Sequence, residues 1–328
     1  MYYYIYMKLI ILDGKDPYRN LAIEEYLFLN SDDDVFMLWQ NDRTVVIGKN
    51  QNAYAEVNTE FVLNNGIKIA RRITGGGAVY HDLGNVNYTF ISVDGSRKSM
   101  DFKSFTEPII EALSSLGVVC ELSGRNDLTV NGRKISGNAQ YSQGGRVLHH
   151  GTLLFKSDVD VIVGALNVDE EKIATKAIKS VRSRVANISD YTSNATNTDD
   201  FIALIAQHVC KTLGATIAQA PSAKEIDALE DRNKSSEWIY PERDFLSKYT
   251  AKSKKRFCYG TVELHLNMRN GKIINAKISG DFFGCRNVEE LETWLSNKYV
   301  SELSKQLDDV CLNEYIYGMN KTDFLSLL

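Results

Sequence analysis

Apolar residues recur along the chain at two spacings, and each spacing predicts one kind of element. Between residues 102 and 116 they fall three or four positions apart, which is typical of one helix face, and Gly117 follows as a stop. Asp16-Pro17 has the form of an N-cap followed by proline at the first helical position, so a helix is expected from there. Further helices are predicted at 59–64, 169–180, 199–213 and 223–229.

Short runs of β-branched and aromatic residues predict strands in the N-terminal part. Met7–Leu12 is expected to be the first strand, and Ile67–Arg71 a later one. Val35–Trp39 and Thr44–Ile47 are separated by the polar sequence Gln-Asn-Asp-Arg, which predicts a hairpin. The stretch 118–156 is rich in strand-forming residues and contains two turn signals. These signals are Asn131-Gly132 and Gly144-Gly145.

The C-terminal part has its own pattern of elements. Apolar and polar residues alternate strictly over Thr261–Met268, a turn is expected at 269–271, and Lys272–Ser279 forms the partner strand. Residues 287–306 and 320–328 complete a small α+β unit.

A polar, basic stretch precedes this unit and indicates a domain boundary. The run Lys252–Arg256 is interpreted as a solvated linker. We therefore expect a large domain at 1–245, a linker at 246–255 and a small domain at 256–328, since 328 residues exceed the usual size of one domain.

Composition narrows the class of protein. The net charge of −4 argues against a nucleic-acid binder, and five scattered cysteines without a CxxC pair indicate neither a disulfide framework nor a zinc site. The apolar N-terminus lacks a basic region and a cleavage site, so it is interpreted as a strand and not as a signal peptide or membrane anchor. We expect a monomeric cytoplasmic protein that binds neither nucleic acid nor membrane.

Several common catalytic motifs are absent from the sequence. It contains no G-x-x-x-x-G-K-[ST], G-x-S-x-G or H-E-x-x-H pattern, and the triple glycine fails G-x-G-x-x-G because position 80 is tyrosine. The five histidines do not have zinc-ligand spacing. P-loop, α/β-hydrolase and zincin chemistry are therefore excluded.

The segment RRITGGGAVYHD, residues 71–82, joins two arginines to three glycines. Glycine lets main chain approach a ligand closely, and successive N–H groups can form an anion site that arginine would complement. A plain glycine-rich connection between strands with surface arginines fits the residues equally well.

The segment 124–137, GRNDLTVNGRKISG, predicts a hairpin around Asn131-Gly132. A type I′ turn would oppose Thr129 to Lys134 and Leu128 to Ile135. The residues Asp127, Thr129, Lys134 and Ser136 would then share one face. Lys134 could neutralise a reacting phosphate or carboxylate there, but for an isolated hairpin a solvated surface pair is the favoured interpretation.

Two further segments carry candidate polar chemistry. In LHHGT, residues 148–152, alternation places His149 and His150 on opposite faces, so only one can line a given pocket. The segment 176–184 carries four cations in nine residues and could bind an anion, although a solvated helix end is the default interpretation.

Taken together, these segments resemble one family. RRITGGGAVYHDLGN, GRNDLTVNGRKISGNA, HHGTLLF and IKSVRSRVAN resemble the signature blocks of lipoate–protein ligases. GTVELHLNMRNGKIINAKISGDFF resembles that family's C-terminal accessory domain, so the resemblance covers nearly the whole chain. Three positions depart from the family pattern: Thr74 replaces serine, Tyr80 replaces phenylalanine and Ala177 replaces glycine.

The resemblance implies an α+β fold similar to biotin–protein ligases and class II aminoacyl-tRNA synthetases, with a mixed sheet, flanking helices and a small α+β accessory domain. It implies that lipoate and Mg-ATP give lipoyl-AMP and pyrophosphate. The lipoyl group would then pass to a lysine of an acceptor lipoyl domain, either the glycine cleavage H protein or an E2 subunit of a 2-oxoacid dehydrogenase.

The resemblance also implies roles for individual residues. Lys134 would be catalytic, contacting the lipoyl carboxyl oxygen and the α-phosphate, and Asp127 would organise Mg²⁺ or the phosphate. The nucleotide would be bound by Arg72, Gly77, Ala78, Val79, Tyr80, Asp127 and Lys134. Lipoate would be bound by Arg71, Thr74, Gly75, Gly76, His150 and Gly151. Lys176, Ser180, Arg182 and Arg184 would belong to a loop that closes over the adenylate. His81 receives no role.

Three other functions are compared with this one. An octanoyl or lipoyl transferase needs a cysteine nucleophile, and no cysteine lies between Cys120 and Cys210. Biotin ligation would require a glycine-arginine block that the sequence lacks. A non-catalytic binder of lipoyl domains would have no need of Lys134 and Arg72.

Overall fold

The computed structural model describes residues 7–95, 98–167, 183–241 and 249–328. The helix expected at 169–180 lies outside these ranges. The strands of the N-terminal part are β1 Met7–Ile11, β2 Asp34–Trp39, β3 Thr44–Ile47, β4 Lys68–Arg71, β5 Val79–His81, β6 Asn85–Ser92, β7 Glu121–Ser123, β8 Asp127–Val130, β9 Arg133–Gln143, β10 Arg146–Leu154 and β11 Thr216–Ile217. The helices there are α1 Pro17–Asn30, α2 Ala53–Glu56, α3 Thr59–Asn64, α4 Phe102–Ser115, α5 Val159–Ala165, α6 Thr198–Leu213, α7 Lys224–Lys234 and α8 Ser236–Ile239.

A mixed eight-stranded sheet forms the centre of this part, in the order β11-β1-β2-β6-β10-β9-β8-β7. Helices α4 and α6 cover one face, where Phe105, Ile109 and Phe201 pack against Phe36 and Phe90. Helix α1 covers part of the other face. A second sheet, β4-β3-β5, stands beside α1. The space between this second sheet and the uncovered part of the large sheet holds the candidate site.

Local signals fixed several elements as expected. Asp16 caps α1, its side chain accepting from the Tyr18 and Arg19 amides, and Gly117 has a positive φ of 84° just after α4. Both turn residues Asn131 and Gly132 have positive φ, 50° and 74°, as a type I′ hairpin requires.

The predicted hairpin of Val35–Trp39 with Thr44–Ile47 is wrong. Strand β2 pairs with β1 and β6 in the large sheet, whereas β3 pairs with β4 and β5 in the small one. The connecting residues do not form a tight turn because Asn20 of α1 binds them, donating to the Gln40 carbonyl at 2.8 Å and to Asn41 Oδ1 at 3.0 Å. A tertiary contact therefore overrides the local turn signal.

The C-terminal part is a three-stranded sheet covered by helices. Its strands are β12 Ala251–Phe257, β13 Gly260–Arg269 and β14 Lys272–Gly280, and its helices are α9 Val288–Leu295, α10 Val300–Gln306, α11 Leu312–Tyr315 and α12 Lys321–Leu325. The run Lys252–Arg256, expected as a solvated linker, is part of β12. Alternate lysines of this strand, Lys252 and Lys254, form ion pairs with Glu263 on β13, which explains how a basic run is stable in a sheet. The predicted boundaries at 245 and 256 remain a prediction.

The C-terminal part packs on the glycine-rich segment of the N-terminal part. Phe282 accepts a hydrogen bond from the Gly76 amide at 3.2 Å, and Gly280 donates to the Asn50 carbonyl at 2.8 Å. Arg125 donates to the Asp281 carbonyl at 3.1 Å and stacks over the Phe283 ring at 4.5 Å. None of the helices within the described ranges combines the length and apolar character needed to cross a lipid bilayer.

Candidate active site

A cavity of about 340 Å³ lies between the large sheet, the β4-β3-β5 sheet and the C-terminal part, which contributes Arg256 and Asp281 to its lining. It brings together most of the residues singled out by the sequence. These are Arg72, Gly76, Gly77, Ala78, Val79, Asp127, Lys134, His150 and Gly151.

Other predicted residues lie outside the lining of this cavity. Arg71, Thr74, Gly75 and Tyr80 are not among its lining residues, and Arg184 lines two neighbouring pockets. Lys176, Ser180 and Arg182 lie outside the described residues, as does Ala177.

Lys134 and Asp127 form an ion pair inside the cavity, with 2.7 Å between Lys134 Nζ and Asp127 Oδ1. The pair depends on a register shift, because Thr129 faces Lys134 as predicted but Leu128 faces Ser136 and not Ile135. This bulge places Asp127 opposite Gly137, where a Cβ would lie 2.8 Å from Lys134 Nζ. Glycine at 137 therefore leaves room for the ammonium group at the cavity wall.

Each glycine of the triple has a different environment. A Cβ on Gly75 would lie 2.2 Å from the Phe282 carbonyl oxygen, so this glycine permits contact with the C-terminal part. Gly76 has a φ of 88°, in the left-handed region that favours glycine. Gly77 has nothing within 4 Å of the position that a Cβ would occupy, so its backbone is the most open to a ligand. Of the three glycines, Gly77 is therefore the one whose backbone a ligand can approach most closely.

Arg72 is buried and holds the glycine segment in shape. Its guanidinium donates to the carbonyls of Val46, Gly75 and Gly77 at 3.1, 2.7 and 2.8 Å, and its Nε donates to Thr74 Oγ1 at 2.9 Å. Desolvation lowers the pKa of Arg72 to about 10, so the side chain stays charged at neutral pH. Arg72 therefore supplies positive charge behind the glycine backbone while fixing its conformation.

A buried carboxylate balances this cation through a chain of hydrogen bonds. Thr74 Oγ1 lies 2.9 Å from His150 Nε2, and His150 Nδ1 lies 2.9 Å from Glu24 Oε1. With Glu24 ionised, His150 donates from Nδ1 and Thr74 donates to Nε2, so every member has a consistent role. Glu24 was not predicted, although a carboxylate beside Leu21 and Phe28 on the buried face of α1 was a readable signal.

Arg71 has a structural role and not the lipoate contact that the resemblance implied. Its guanidinium donates to the carbonyls of Gly48, Lys49, Gln51, Trp238 and Ile239 at 2.7–3.0 Å. Adjacent residues of an extended chain point to opposite sides, so Arg71 and Arg72 cannot both reach the cavity.

His81 lines the cavity in its neutral form. Desolvation lowers its pKa to about 3, with repulsion from the Arg72 guanidinium contributing. The ring therefore titrates far below neutral pH and offers one donor and one acceptor.

A second cavity of about 590 Å³ adjoins the first and shares Gly77 and Ala78 with it. The half-buried Glu56 lines it, and burial raises the pKa of this carboxyl to about 7, with repulsion from Asp281 and Glu263 contributing. Glu56 therefore changes its charge near neutral pH at the contact between the two parts of the chain.

Glu56 is expected to make stability depend on pH. Because its folded pKa of about 7 exceeds the reference 4.5, the folded state binds more protons between these values, and stability falls as pH rises through that window. Urea unfolding should show that the unfolding free energy of wild type falls by on the order of 1–3 kcal/mol between pH 4.5 and 7.5. Glu56→Gln should not show this decrease. Glu60→Gln, which removes an exposed carboxylate on α3, is the matched control. If the unfolding free energies of wild type and both variants depended equally on pH, this role of Glu56 would be contradicted.

Two family models, taken with this fold, identify a protein ligase with a C-terminal domain. The family model of the lipoyl protein ligase A/B catalytic domain matches residues 16–210, and that of the bacterial lipoate protein ligase C-terminus matches residues 247–328. The chain belongs to the lipoate–protein ligase family and is an enzyme of that kind. Its α+β fold, with a mixed sheet, flanking helices and a small C-terminal sheet, is as predicted.

Relatives match over nearly the full chain. Lipoate-protein ligase LplJ of Bacillus subtilis is 43% identical over 95% of this chain and 97% of its own length, and lipoate–protein ligase 1 of Staphylococcus aureus is 40% identical over the same shares. Among solved structures, P. falciparum LipL1 in complex with lipoate has a TM-score of 0.79 at 25% identity, covering 93% of this chain and 94% of that one. A lipoate-protein ligase A bound with ATP has a TM-score of 0.60 at 27% identity, covering 72% and 98%.

Proposed function

We propose that this ligase uses ATP to activate lipoate as lipoyl-AMP, releases pyrophosphate, and transfers the lipoyl group to a lysine of an acceptor lipoyl domain. The observation that carries the proposal is the Lys134–Asp127 pair, which lines the same cavity as the open backbone of Gly77. ATP and lipoate are each bound by a relative of known structure.

The adenylation step joins two anions, so charge repulsion is its main obstacle. A lipoate carboxylate oxygen attacks the α-phosphorus of ATP, and the bond to the pyrophosphate oxygen breaks. Lys134 neutralises the developing charge where the carboxylate and the α-phosphate meet. Asp127 holds the ammonium group in position at 2.7 Å until the phosphate replaces it as the partner.

The glycine segment provides the nucleotide with backbone donors. Gly77 is open, and Arg72 behind it fixes the segment and adds positive charge. Since Arg72 already holds this segment through hydrogen bonds before ATP binds, little reorganisation is needed in the transition state. The backbone of Gly77–Tyr80 is the proposed nucleotide contact.

The nucleotide's phosphates would provide most of the ligands for magnesium. Mg²⁺ in nucleotide sites is held by one or two carboxylates together with phosphate oxygens and water. Asp127 is the proposed carboxylate, and no cluster of three or more metal-ligating side chains occurs within the described residues. One protein carboxylate, with phosphate oxygens and water, fits a Mg²⁺ ion that binds together with ATP. The ion would offset the negative charge of the phosphates.

In the transfer step, the amine of the acceptor lysine attacks the carbonyl of the mixed anhydride and AMP leaves. The anhydride is already activated, so the enzyme mainly positions the amine and excludes water. We propose E2 subunits as acceptors, because a bipartite ligase from Thermoplasma acidophilum with 28% identity and a TM-score of 0.64 was analysed together with its E2 lipoyl domain. That match covers 72% of this chain and 97% of that one. The glycine cleavage H protein is proposed as a second acceptor from the family resemblance alone.

A cysteine-dependent transferase is the alternative, and the position of Cys120 argues against it. Cys120 packs in the core beneath the large sheet, and burial raises the pKa of its thiol to about 11. Among the described residues that line the cavity there is no cysteine. We propose that the protein is a monomer and that it is cytoplasmic. A reducing compartment is consistent with its five cysteines, which are all free thiols.

Incubation with lipoate, ATP, Mg²⁺ and an apo lipoyl domain should increase the mass of the domain by one lipoyl group, as measured by intact-protein mass spectrometry. Omitting ATP should prevent this increase, and an acceptor with its target lysine changed to arginine is the matched control. Modification without ATP from an acylated donor domain would support the transferase instead.

A further inference from the structure

The second cavity joins the reacting end of the site to the surface of the protein. It shares Gly77 and Ala78 with the first cavity, and Glu56 is part of its lining. Ala55 and Lys254, which also line it, are exposed, so the cavity reaches the surface. Its volume of about 590 Å³ leaves room for a side chain of another protein to extend towards Gly77.

In the parts of the chain that the structure describes, the Glu56 carboxyl has no cation as an ion-pair partner. Lys254 acts on it from a distance, but the Lys254 ammonium group lies 3.0 Å from Glu263 Oε1 and is bound there. An ammonium group that enters the cavity would therefore find the Glu56 carboxyl available. The other charged side chains of the lining are Asp281, Arg184 and Arg256.

The backbone of Glu56 is held in place at the end of α2. The Asn167 amide donates to the Glu56 carbonyl at 2.9 Å, and the Asn167 side chain donates to the carbonyls of Ala55 and Val57, each at 3.1 Å. At the other end of the helix, Asn52 caps the first turn. Glu56 therefore has a fixed position on the cavity wall before any partner binds.

Glu56 is also connected to the glycine segment through two residues. The Gln51 side chain hydrogen-bonds the Glu56 carboxyl and favours its charged form, while Gln51 Oε1 accepts from the Gly48 amide at 2.9 Å. Gly48 lies against the segment, since a Cβ there would be 2.1 Å from the Gly76 carbonyl oxygen. The carboxyl group thus stands beside the segment that is proposed to hold the adenylate.

A third cavity of about 420 Å³ also adjoins the first, at Asp127 and Lys134. Its carboxylate, Asp127, is already paired with Lys134 at 2.7 Å, and Arg184 adds a second positive charge to its lining. An ammonium group would be repelled there. The charges of the two cavities therefore favour the second one as the path for a cationic side chain.

We propose that the ε-ammonium group of the acceptor lysine enters through the second cavity and gives a proton to the Glu56 carboxylate before it attacks the adenylate. The nitrogen lone pair then forms a bond to the carbonyl carbon, and the carbon–oxygen bond to the phosphate breaks with its electron pair. AMP leaves with the second proton of the nitrogen. The proposal rests on the proposed function, since it requires an acyl-adenylate in the first cavity.

The chemistry of Glu56 suits this proton transfer. An ordinary carboxyl group is a weak base towards lysine, whose pKa is about 10.4. Burial raises the pKa of Glu56 to about 7, with repulsion from Asp281 and Glu263 contributing and attraction from Lys254 opposing it. A base that titrates near the working pH is both ionised often enough and basic enough to accept the proton.

The test separates the two steps of the reaction in wild type and Glu56→Gln. Lipoate-dependent ATP–pyrophosphate exchange should stay within about twofold of wild type, which also shows that the variant folds. Transfer of the lipoyl group from preloaded enzyme to an apo lipoyl domain should be about 10²-fold slower at pH 7, the effect typical of removing a general base. Glu60→Gln, which removes an exposed carboxylate on α3, is the matched control and should behave as wild type in both assays.

The pH profile distinguishes a proton acceptor from a structural residue. The free-amine fraction of the acceptor lysine grows about tenfold per pH unit below its pKa, so Glu56→Gln should regain at least about tenfold of its deficit between pH 7 and pH 9. Hydroxylamine is uncharged at neutral pH and needs no base. It should therefore capture the lipoyl group as the hydroxamate at equal rates in wild type and Glu56→Gln.

Three results would overturn the proposal: equal transfer rates in wild type and Glu56→Gln, a deficit that stays constant from pH 7 to pH 9, or an equal loss with hydroxylamine. The last two would mean that the substitution disturbs the position of the adenylate. A wild type that shows no lipoate-dependent exchange would instead contradict the proposed function, so the two failures are distinguishable.

Discussion

Lys134→Ala is expected to lower lipoate-dependent ATP–pyrophosphate exchange by at least roughly 10²–10³-fold, the effect typical of removing one preorganised charge from a transition state. The loss should appear mainly in kcat, because the ammonium group acts where charge develops. Its side chain is 36% exposed, so thermal unfolding should show that the variant folds normally.

Two controls isolate this effect. Lys255→Ala removes an exposed lysine of β12 and should leave exchange near the wild-type rate. Cys120→Ala tests the transferase, and activity that survives in Lys134→Ala but disappears in Cys120→Ala would exclude Lys134 as the catalytic group.

Gly75→Ala is expected to have the second-largest effect, by weakening the contact between the two parts of the chain. The new methyl group would lie 2.2 Å from the Phe282 carbonyl oxygen, a backbone atom that cannot move aside alone. Overpacking of this kind costs about 1–3 kcal/mol, which would lower the melting temperature by several degrees. Hydrogen exchange of the Gly76 amide, which donates to Phe282, should accelerate.

Gly77→Ala is the matched control for stability, since nothing lies within 4 Å of the added methyl group. Its melting temperature should stay close to that of wild type. Equal destabilisation of both variants would mean that flexibility of the glycine run, and not the contact with Phe282, determines stability.

Local signals predicted most of the fold. The cap at Asp16, the turn at Asn131-Gly132 and the strict alternation over Thr261–Met268 each depend on neighbouring residues, and each element formed. The failed hairpin after Trp39 and the linker that became β12 depended on distant partners, Asn20 and Glu263. Single-sequence patterns contain little information about such partners.

In the candidate site too, the features determined by neighbouring residues were predicted and those that depend on distant partners were not. The sequence placed Lys134 on one face with Asp127 and separated His149 from His150, because turn geometry and alternation determine these faces. It did not predict the register shift that brings Lys134 and Asp127 into contact. It did not predict that Arg71 would bind five carbonyls or that Glu24 would complete the network around Arg72. These roles arise where α1, β4 and β10 meet, far apart along the chain.

The C-terminal part docks on the glycine segment through the hydrogen bond from the Gly76 amide to the Phe282 carbonyl. This docking is an equilibrium that can be treated like the binding of a ligand. If ATP binds against the same segment, as proposed, the two binding equilibria are linked, and linkage is reciprocal. By whatever factor docking of the C-terminal part changes the affinity for ATP, ATP changes docking by the same factor. In the proposed reaction, release of pyrophosphate and then of AMP would alter how firmly the C-terminal part is held.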